Sequence, residues 1–415
     1  MPGHKIKRKI GLSLLTASVA STSSAERLKW VDAYQSSPAD YDLKLPPNID
    51  MPEPAKSFLT ERPPVTGTIR FRFAVAAGGT QVRIRVSNEE NSSPLSLDAL
   101  SVGLAGEAFD MVAGSVLPLT FGGKVSVVVP AGAPLLSDPI DLPVSRDTVL
   151  IVSTKLTQPL QLNPFGSVLM SVAPGDQTLS DHMEDAEYLP GRPLISGAMV
   201  LSADPQRIIV ALGDSITDGD RSTGAEARGW PEELARRLDS SKTGASAIVL
   251  NAGIGGNRVL TAGAGQAAIA RLDRDVLRIE GVTHIILLAG INDIGRSGKT
   301  MYGENPPLDV ADLISGYRQI IARAHIKGIK VVIGTLMAFT GAPYFTPEKE
   351  AIRQAANKWI RTSKEPDAVI DFDEATRDPR NPAYFREDLH LGDHLHPNAA
   401  GYKVMADAIP LQILD

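Results

Sequence analysis

The sequence predicts an α/β protein in two parts: an all-β sandwich or jelly-roll-like domain, followed by a doubly wound domain on five parallel strands. Three observations carry this. Apolar and polar residues alternate with period two from about Thr68 to Leu201. After Asp204, five apolar runs of strand length are separated by segments whose apolar residues fall three and four apart. The chain has 415 residues, enough to bury two cores. With 43% hydrophobic and 22% charged residues and a net charge of -6, it carries no electrostatic footprint for nucleic acid or an anionic membrane.

At the N-terminus, the basic stretch Lys5 to Lys9 (KIKRK) precedes the apolar run IGLSLLTASVA and the small residues STSSA. This order predicts a signal peptide over residues 1–25, cleaved after Ala20 or Ala25, with an apolar run too short for a permanent span. The expected location is therefore periplasmic or secreted. The chain has no cysteine, so neither a disulfide nor a cysteine-borne lipid anchor is available.

Residues 26–203 form the predicted β domain with an extended lead-in. In TIRFRFAV, Ile69, Phe71 and Phe73 oppose Arg70 and Arg72; in QVRIRVS, Val82, Ile84 and Val86 oppose Arg83 and Arg85. Such strands bury one face and wet the other. The arginine stripe is read as a solvated sheet face, with a surface for an acidic glycan as the alternative. VSVVVP, TVLIVST and SVLMSVA continue the series between Gly, Pro, Asp and Ser clusters.

Residues 204–415 form the predicted α/β domain. The runs RIIVAL, AIVLNAG, HIILLAG, KVVIGTLM and AVIDFD are apolar on both faces, as parallel strands covered by helices are. WPEELARRLDS, AAIARLDRDVLRI, ADLISGYRQIIARAHIKG and KEAIRQAANKWIRTS supply the helices. Ligands of such sheets bind beyond the carboxyl ends of the strands, so the residues just past each strand are the candidates.

After the first strand stands Gly213-Asp214-Ser215-Ile216-Thr217-Asp218-Gly219, where a tight turn can expose the Ser215 hydroxyl, or where serine merely caps the next element. After the second stands Asn251-Ala252-Gly253-Ile254-Gly255-Gly256-Asn257; Arg258 replaces the last glycine of a dinucleotide fingerprint, so no cofactor is expected and a backbone N–H donor to an oxyanion remains open. After the third comes Asn292, whose amide can face a developing negative charge or close an Asx turn. After the fifth comes Leu391-Gly392-Asp393-His394-Leu395-His396-Pro397-Asn398. Pro397 biases His396 to extended backbone, Asn398 can cap the helix AAGYKVMADAI, and Asp393 is near enough to fix the His396 tautomer. His390, Asp393, His394 and His396 also read as transition-metal ligands, but that reading leaves Ser215, Gly256 and Asn292 without a role.

Together GDSITDG, NAGIGG, GIND and DHLHPN resemble the four ordered blocks of the SGNH, or GDSL, hydrolase superfamily. The resemblance implies a flavodoxin-like sheet, Ser215 as nucleophile, Asp393 and His396 as its partners, and an oxyanion hole from Ser215, Gly256 and Asn292. Gly255 stands where many members have serine. The N-terminal half, through RFRFAVAAGGTQVRIRVSNEENSSPLSLDALSVGLA and LTFGG, is similar to exported bacterial members described as arylesterases or acylhydrolases, in which a β-sandwich precedes the hydrolase.

The expected function is a serine ester hydrolase for short-chain acyl esters, with a small-molecule or polysaccharide ester as substrate, no metal and no membrane span. Asp214 is expected to brace the nucleophile loop, and Asp214, Arg228, Trp230 and Met337 are candidates for the pocket lining. The rival is a glycan-binding protein with a relict α/β half.

Overall fold

The computed structural model describes residues 1, 3, 28–39, 63–163, 166, 168–203, 207–219, 229–240, 247–300 and 303–414. All but residues 1 and 3 of the predicted leader over 1–25, and the candidate Arg228, lie outside the described residues. Among those described, no helix is long and apolar enough to cross a membrane.

Two antiparallel sheets build the N-terminal half. One has four strands in the order Lys29–Gln35, Ile195–Ser202, Val82–Ser87, Pro134–Leu136; the other has six, in the order Glu187–Gly191, Val168–Ala173, Val65–Ala74, Val149–Leu160, Ala99–Leu104, Leu117–Pro118. Ile69, Phe71 and Phe73 from one sheet and Val82, Ile84 and Val86 from the other are buried in a common apolar core, as their alternation predicts.

The opposite face departs from expectation. Arg70 is fully buried, and it donates to the carbonyls of Phe109 (2.7 Å), Asp181 (3.1 Å), Gln177 (3.4 Å) and Ser180. Arg72 reaches the carbonyls of Gly106 and Ala108. The loops around 105–112 and 176–184 thus fold over the sheet, and the guanidinium donors satisfy carbonyls those loops would otherwise bury unpaired. Alternation shows which side chains share a face; it cannot show that loops cover that face, so the solvated-stripe reading is corrected.

In the C-terminal half, five parallel strands stand in the order Ala247–Gly253, Arg207–Gly213, Val282–Leu288, Lys330–Gly334, Ala368–Ile370. Numbered by sequence within this half, that is 2-1-3-4-5, the flavodoxin-like doubly wound order. The helices Trp230–Ser240, Val310–Ile326, Pro347–Thr362 and Ala399–Asp407 coincide with the amphipathic segments to within a few residues. AAIARLDRDVLRI does not form one regular helix: Ala268–Leu272 is α-helical and Asp273–Leu277 widens into a π-turn.

The halves are joined by more than a linker. Strand Lys29–Gln35 lies against strand Ala247–Gly253. Arg274 pairs with Glu90, Arg278 with Glu89 at 3.4 Å, and Arg146 with Asp239 at 3.1 Å and with the Ala247 carbonyl at 2.9 Å.

Candidate active site

Strand register brings the candidate residues together. Gly213 lies opposite Gly253 on one side and Leu288 on the other. Ser215, Gly256 and Asn292 therefore emerge two, three and four residues past the same level of the sheet. The turn into Ser215 is tight: a Cβ on Gly213 would lie 2.6 Å from the Leu288 carbonyl oxygen, so only glycine fits. Ser215–Asp218 forms one helical turn whose N-cap, Asp214, accepts from the Ile216 N–H at 3.0 Å.

His396 comes from the other end of the chain. The loop that carries it is closed by backbone bonds from Leu391 N–H to the His396 carbonyl (2.9 Å) and from Asn398 N–H to the Leu389 carbonyl (2.9 Å). Asn398 caps helix Ala399–Asp407 by accepting from Gly401 N–H at 3.0 Å, as expected from the sequence. His394 takes φ of 55°, a left-handed turn between Asp393 and His396.

The result is a hydrogen-bonded series. Asp393 Oδ2 lies 2.6 Å from His396 Nδ1, and His396 Nε2 lies 2.8 Å from Ser215 Oγ. Asp393 Oδ1 also accepts from the N–H groups of Leu395 (3.0 Å) and His396 (2.9 Å). Burial by itself raises the Asp393 pKa, but the hydrogen bond and charge of the His396 ring, with these two N–H donors, outweigh it and hold the carboxyl at about 2. An ionised Asp393 fixes the proton on Nδ1, leaving Nε2 to accept from the serine hydroxyl.

On the other flank, Gly256 adopts φ of 72°, a conformation that suits glycine. Asn292 is 5% exposed, and its Nδ2 donates at 3.1 Å to the Asn257 carbonyl. One amide hydrogen is used there, which fixes the rotamer, and the second is uncommitted by that bond. Asp293, whose role the sequence reading missed, clamps the neighbouring loop: its oxygens accept from Val259 N–H (2.8 Å) and Leu260 N–H (3.0 Å). Its adjacency to Asn292 was the only available signal.

Two arginines also missed from sequence support the same loops. Arg271, fully buried, donates to the carbonyls of Gly213 (2.9 Å) and Ala252 (2.8 Å), to Asn257 Oδ1 (3.1 Å) and to Asp275 (2.8 Å). Arg192, from the β half, donates to Asp218 Oδ2 (2.8 Å) and the Gly253 carbonyl (3.3 Å).

The described residues expected at the pocket are all buried. Trp230 has no exposed surface; its Nε1 donates to Thr217 Oγ1 at 3.3 Å and its ring packs on Phe372. Met337 is 4% exposed and belongs to the apolar core. Both were candidates because they were expected near the sheet edge, with ordinary packing as the alternative; their burial fits packing. Asp214, 1% exposed, likewise braces the loop and does not face a ligand.

The histidine cluster divides. Asp393 and His396 face Ser215, whereas Glu387, His390 and His394 hold their ligand atoms within 4.8 Å of one another. His390 Nδ1 accepts from the N–H groups of Gly392 (2.9 Å) and His394 (3.3 Å). That places the ring proton on Nε2, which faces Glu387 at 3.4 Å. A protonated Nε2 has no lone pair for a metal, so these residues do not fit one.

Burial pushes the Asp214 carboxyl up to about 7; the Ile216 hydrogen bond and His396 oppose this and Asp293 adds to it. Between the unfolded carboxyl range near pH 4 and pH 7, the folded protein thus holds a proton that the unfolded chain has lost. Its stabilising effect is complete below about pH 4 and disappears as pH rises through 7, by at most about 4 kcal/mol. Asp214→Asn keeps the cap acceptor without the titration. The difference in melting temperature between wild type and variant is expected to shift in favour of Asn from pH 4 to 8; a pH-independent difference would show that Asp214 ionises normally.

A doubly wound sheet with hydroxyl, imidazole and carboxylate in series at its carboxyl edge belongs with the hydrolases. Residues 211–404 match the GDSL-like Lipase/Acylhydrolase family, and the protein is a carboxylic ester hydrolase. No curated protein matches the sequence. Similar solved structures include a GDSL-like lipase from Bacteroides thetaiotaomicron (14% identical, covering 50% of this chain and 87% of that one, TM-score 0.36). Others are the α/β hydrolase LAE5 from the metagenome of Lake Arreo (21%, 50% and 94%, 0.40) and Axe2, an acetylxylan esterase from Geobacillus stearothermophilus (22%, 50% and 94%, 0.39). At these identities and TM-scores, none adds an argument about chemistry.

Proposed function

We propose that the protein hydrolyses short-chain acyl esters, acetyl groups on a polysaccharide or simple aryl esters, through an acyl-serine intermediate, and that it does so after export. The observation that carries the mechanism is the series Asp393, His396, Ser215 at 2.6 and 2.8 Å. Ser215 Oγ attacks the ester carbonyl carbon while His396 Nε2 takes the hydroxyl proton, and Asp393 stabilises the imidazolium. The carbonyl oxygen becomes an oxyanion facing the N–H groups of Ser215 and Gly256 and the free hydrogen of Asn292. On collapse the alcohol leaves with the proton from His396. Water then repeats the sequence on the acyl-serine, releasing the acid and restoring the hydroxyl.

Export is supported by the order of basic, apolar and small residues over 5–25. The metal-dependent alternative finds no support in the His390 tautomer, and a relict site would have no reason to keep three catalytic groups in hydrogen-bonded line. A serine-directed phosphonate is expected to stop hydrolysis of p-nitrophenyl acetate and to add its mass to the peptide holding Ser215. Inhibition by a chelator with no effect of the phosphonate would reverse the choice. Profiling acids released from acetylated xylan and from p-nitrophenyl esters of graded length then fixes the acyl preference.

A further inference from the structure

We propose that His390 is a positioning residue for the loop that carries Asp393 and His396: its Nδ1 holds the peptide groups on either side of Asp393 and so sets where that carboxylate meets the His396 ring. The inference rests on the serine-hydrolase reading and extends it to a residue outside the series Asp393, His396, Ser215. Its main observation is a shared acceptor. His390 Nδ1 accepts from Gly392 N–H at 2.9 Å and from His394 N–H at 3.3 Å. Gly392 and His394 both take left-handed φ, 89° and 55°, so Asp393 stands between two turned residues whose N–H groups converge on one imidazole nitrogen. A residue other than glycine keeps such a φ only where its surroundings compensate the strain, and the bond from His394 N–H is one such compensation. Asp393 Oδ1 takes the next two donors, Leu395 N–H (3.0 Å) and His396 N–H (2.9 Å). Two side chains thus gather the loop's backbone donors around the carboxylate, and His390 is one of them.

The other ring nitrogen does not account for the ring's place. Nε2 is buried and, among the described residues, has no hydrogen bond; the Glu387 carboxylate lies 3.4 Å away without forming one. A buried donor left without a partner costs stability, and an apolar side chain would pack on the Phe385 ring, 5.6 Å away between centroids, without that cost. What the imidazole supplies that an apolar side chain cannot is the acceptor at Nδ1. The side chain is fully buried, so it does not touch substrate and acts through Asp393. Without this acceptor the peptides flanking Asp393 lose their common anchor. The carboxylate then no longer stays fixed at 2.6 Å from His396 Nδ1, and the ring that takes the Ser215 proton loses its set orientation.

The test separates the acceptor from the volume it occupies. His390→Leu removes Nδ1 and is expected to lower kcat for p-nitrophenyl acetate about 10- to 100-fold with KM changed less than about threefold, since displacing a catalytic group costs rate and leaves the binding surface in place. His390→Asn puts an amide oxygen near the place of Nδ1 and should keep kcat within about fivefold of wild type. In an Asp393→Ala background His390→Leu should add less than about threefold, because the carboxylate it acts through is already gone. The far-downfield proton resonance of His396 Nδ1–H reports the same geometry without turnover; it should shift or vanish in His390→Leu and persist in His390→Asn. Wild-type turnover that Ser215→Ala abolishes reports the hydrolase reading by itself, and only the contrast between Leu and Asn reports His390. Should His390→Leu fail to fold, His390→Gln takes its place: its amide oxygen reaches past the Nδ1 position, and kcat about tenfold below that of His390→Asn is expected. Equal kcat in Asn and in Leu or Gln, or a full loss that persists in the Asp393→Ala background, would overturn the proposal and leave His390 as packing.

Discussion

Ser215→Ala is expected to lower kcat/KM for p-nitrophenyl acetate by roughly 10⁴- to 10⁶-fold, or about 5–8 kcal/mol of transition-state stabilisation. The proposed route forms its acyl bond on this hydroxyl, and the chain has no cysteine that could take its place. The variant should fold as the wild type does, because Ser215 is half-buried and its side chain's hydrogen bond goes to a ring that water can also reach. Melting temperature and activity must therefore separate. His396→Ala should cost nearly as much, and the double variant little more than either alone, because hydroxyl and imidazole act as a unit. A loss below about tenfold in Ser215→Ala would place the nucleophile elsewhere, and additive losses would break the pairing of Ser215 with His396.

Much of this site was legible in the sequence because the motif positions are fixed by strand ends. Each apolar run ends where its side chains leave the sheet, and in a parallel sheet those ends lie on one edge. Ser215, Gly256 and Asn292 could thus be placed together before any coordinates. His396 was legible for a different reason: Pro397 and the capping Asn398 define a helix entrance, and an imidazole there stands free of the helix body.

What was not legible depends on contacts between segments distant in the chain. Met337 follows its strand about as closely as Ser215 follows its own, and Trp230 opens the helix Trp230–Ser240, yet both are buried in the core. Arg70 alternates like a surface residue, yet two loops, one about 40 and the other about 110 residues away, close over it. Arg192 carries no motif at all. Its importance comes from reaching across to Asp218 and the Gly253 carbonyl, within the two loops that flank Ser215. Together with Arg271 on the Gly213 and Ala252 carbonyls, it leaves the strand ends around Ser215 with charge-assisted partners. The β half is therefore part of the support of the sheet edge that carries Ser215.

The oxyanion assignment is the most exposed part of the mechanism, and Asn292→Ala tests it. Removal of a single oxyanion donor typically costs about 10²- to 10³-fold in kcat, roughly 3–4 kcal/mol, because the bond strengthens as charge develops on the carbonyl oxygen. KM should change little, since a neutral carbonyl gains much less from the same amide. The substitution also removes the bond to the Asn257 carbonyl at 3.1 Å, so a stability loss of about 1–3 kcal/mol is expected beside the kinetic one. Asn292→Asp separates the two: it keeps the shape but presents acceptors to both the Asn257 carbonyl and the oxyanion, and it should be at least as inactive as Ala. If instead Asn292→Ala raised KM and spared kcat, the amide would be a ground-state contact to substrate, and the oxyanion would be held by the Ser215 and Gly256 N–H groups alone.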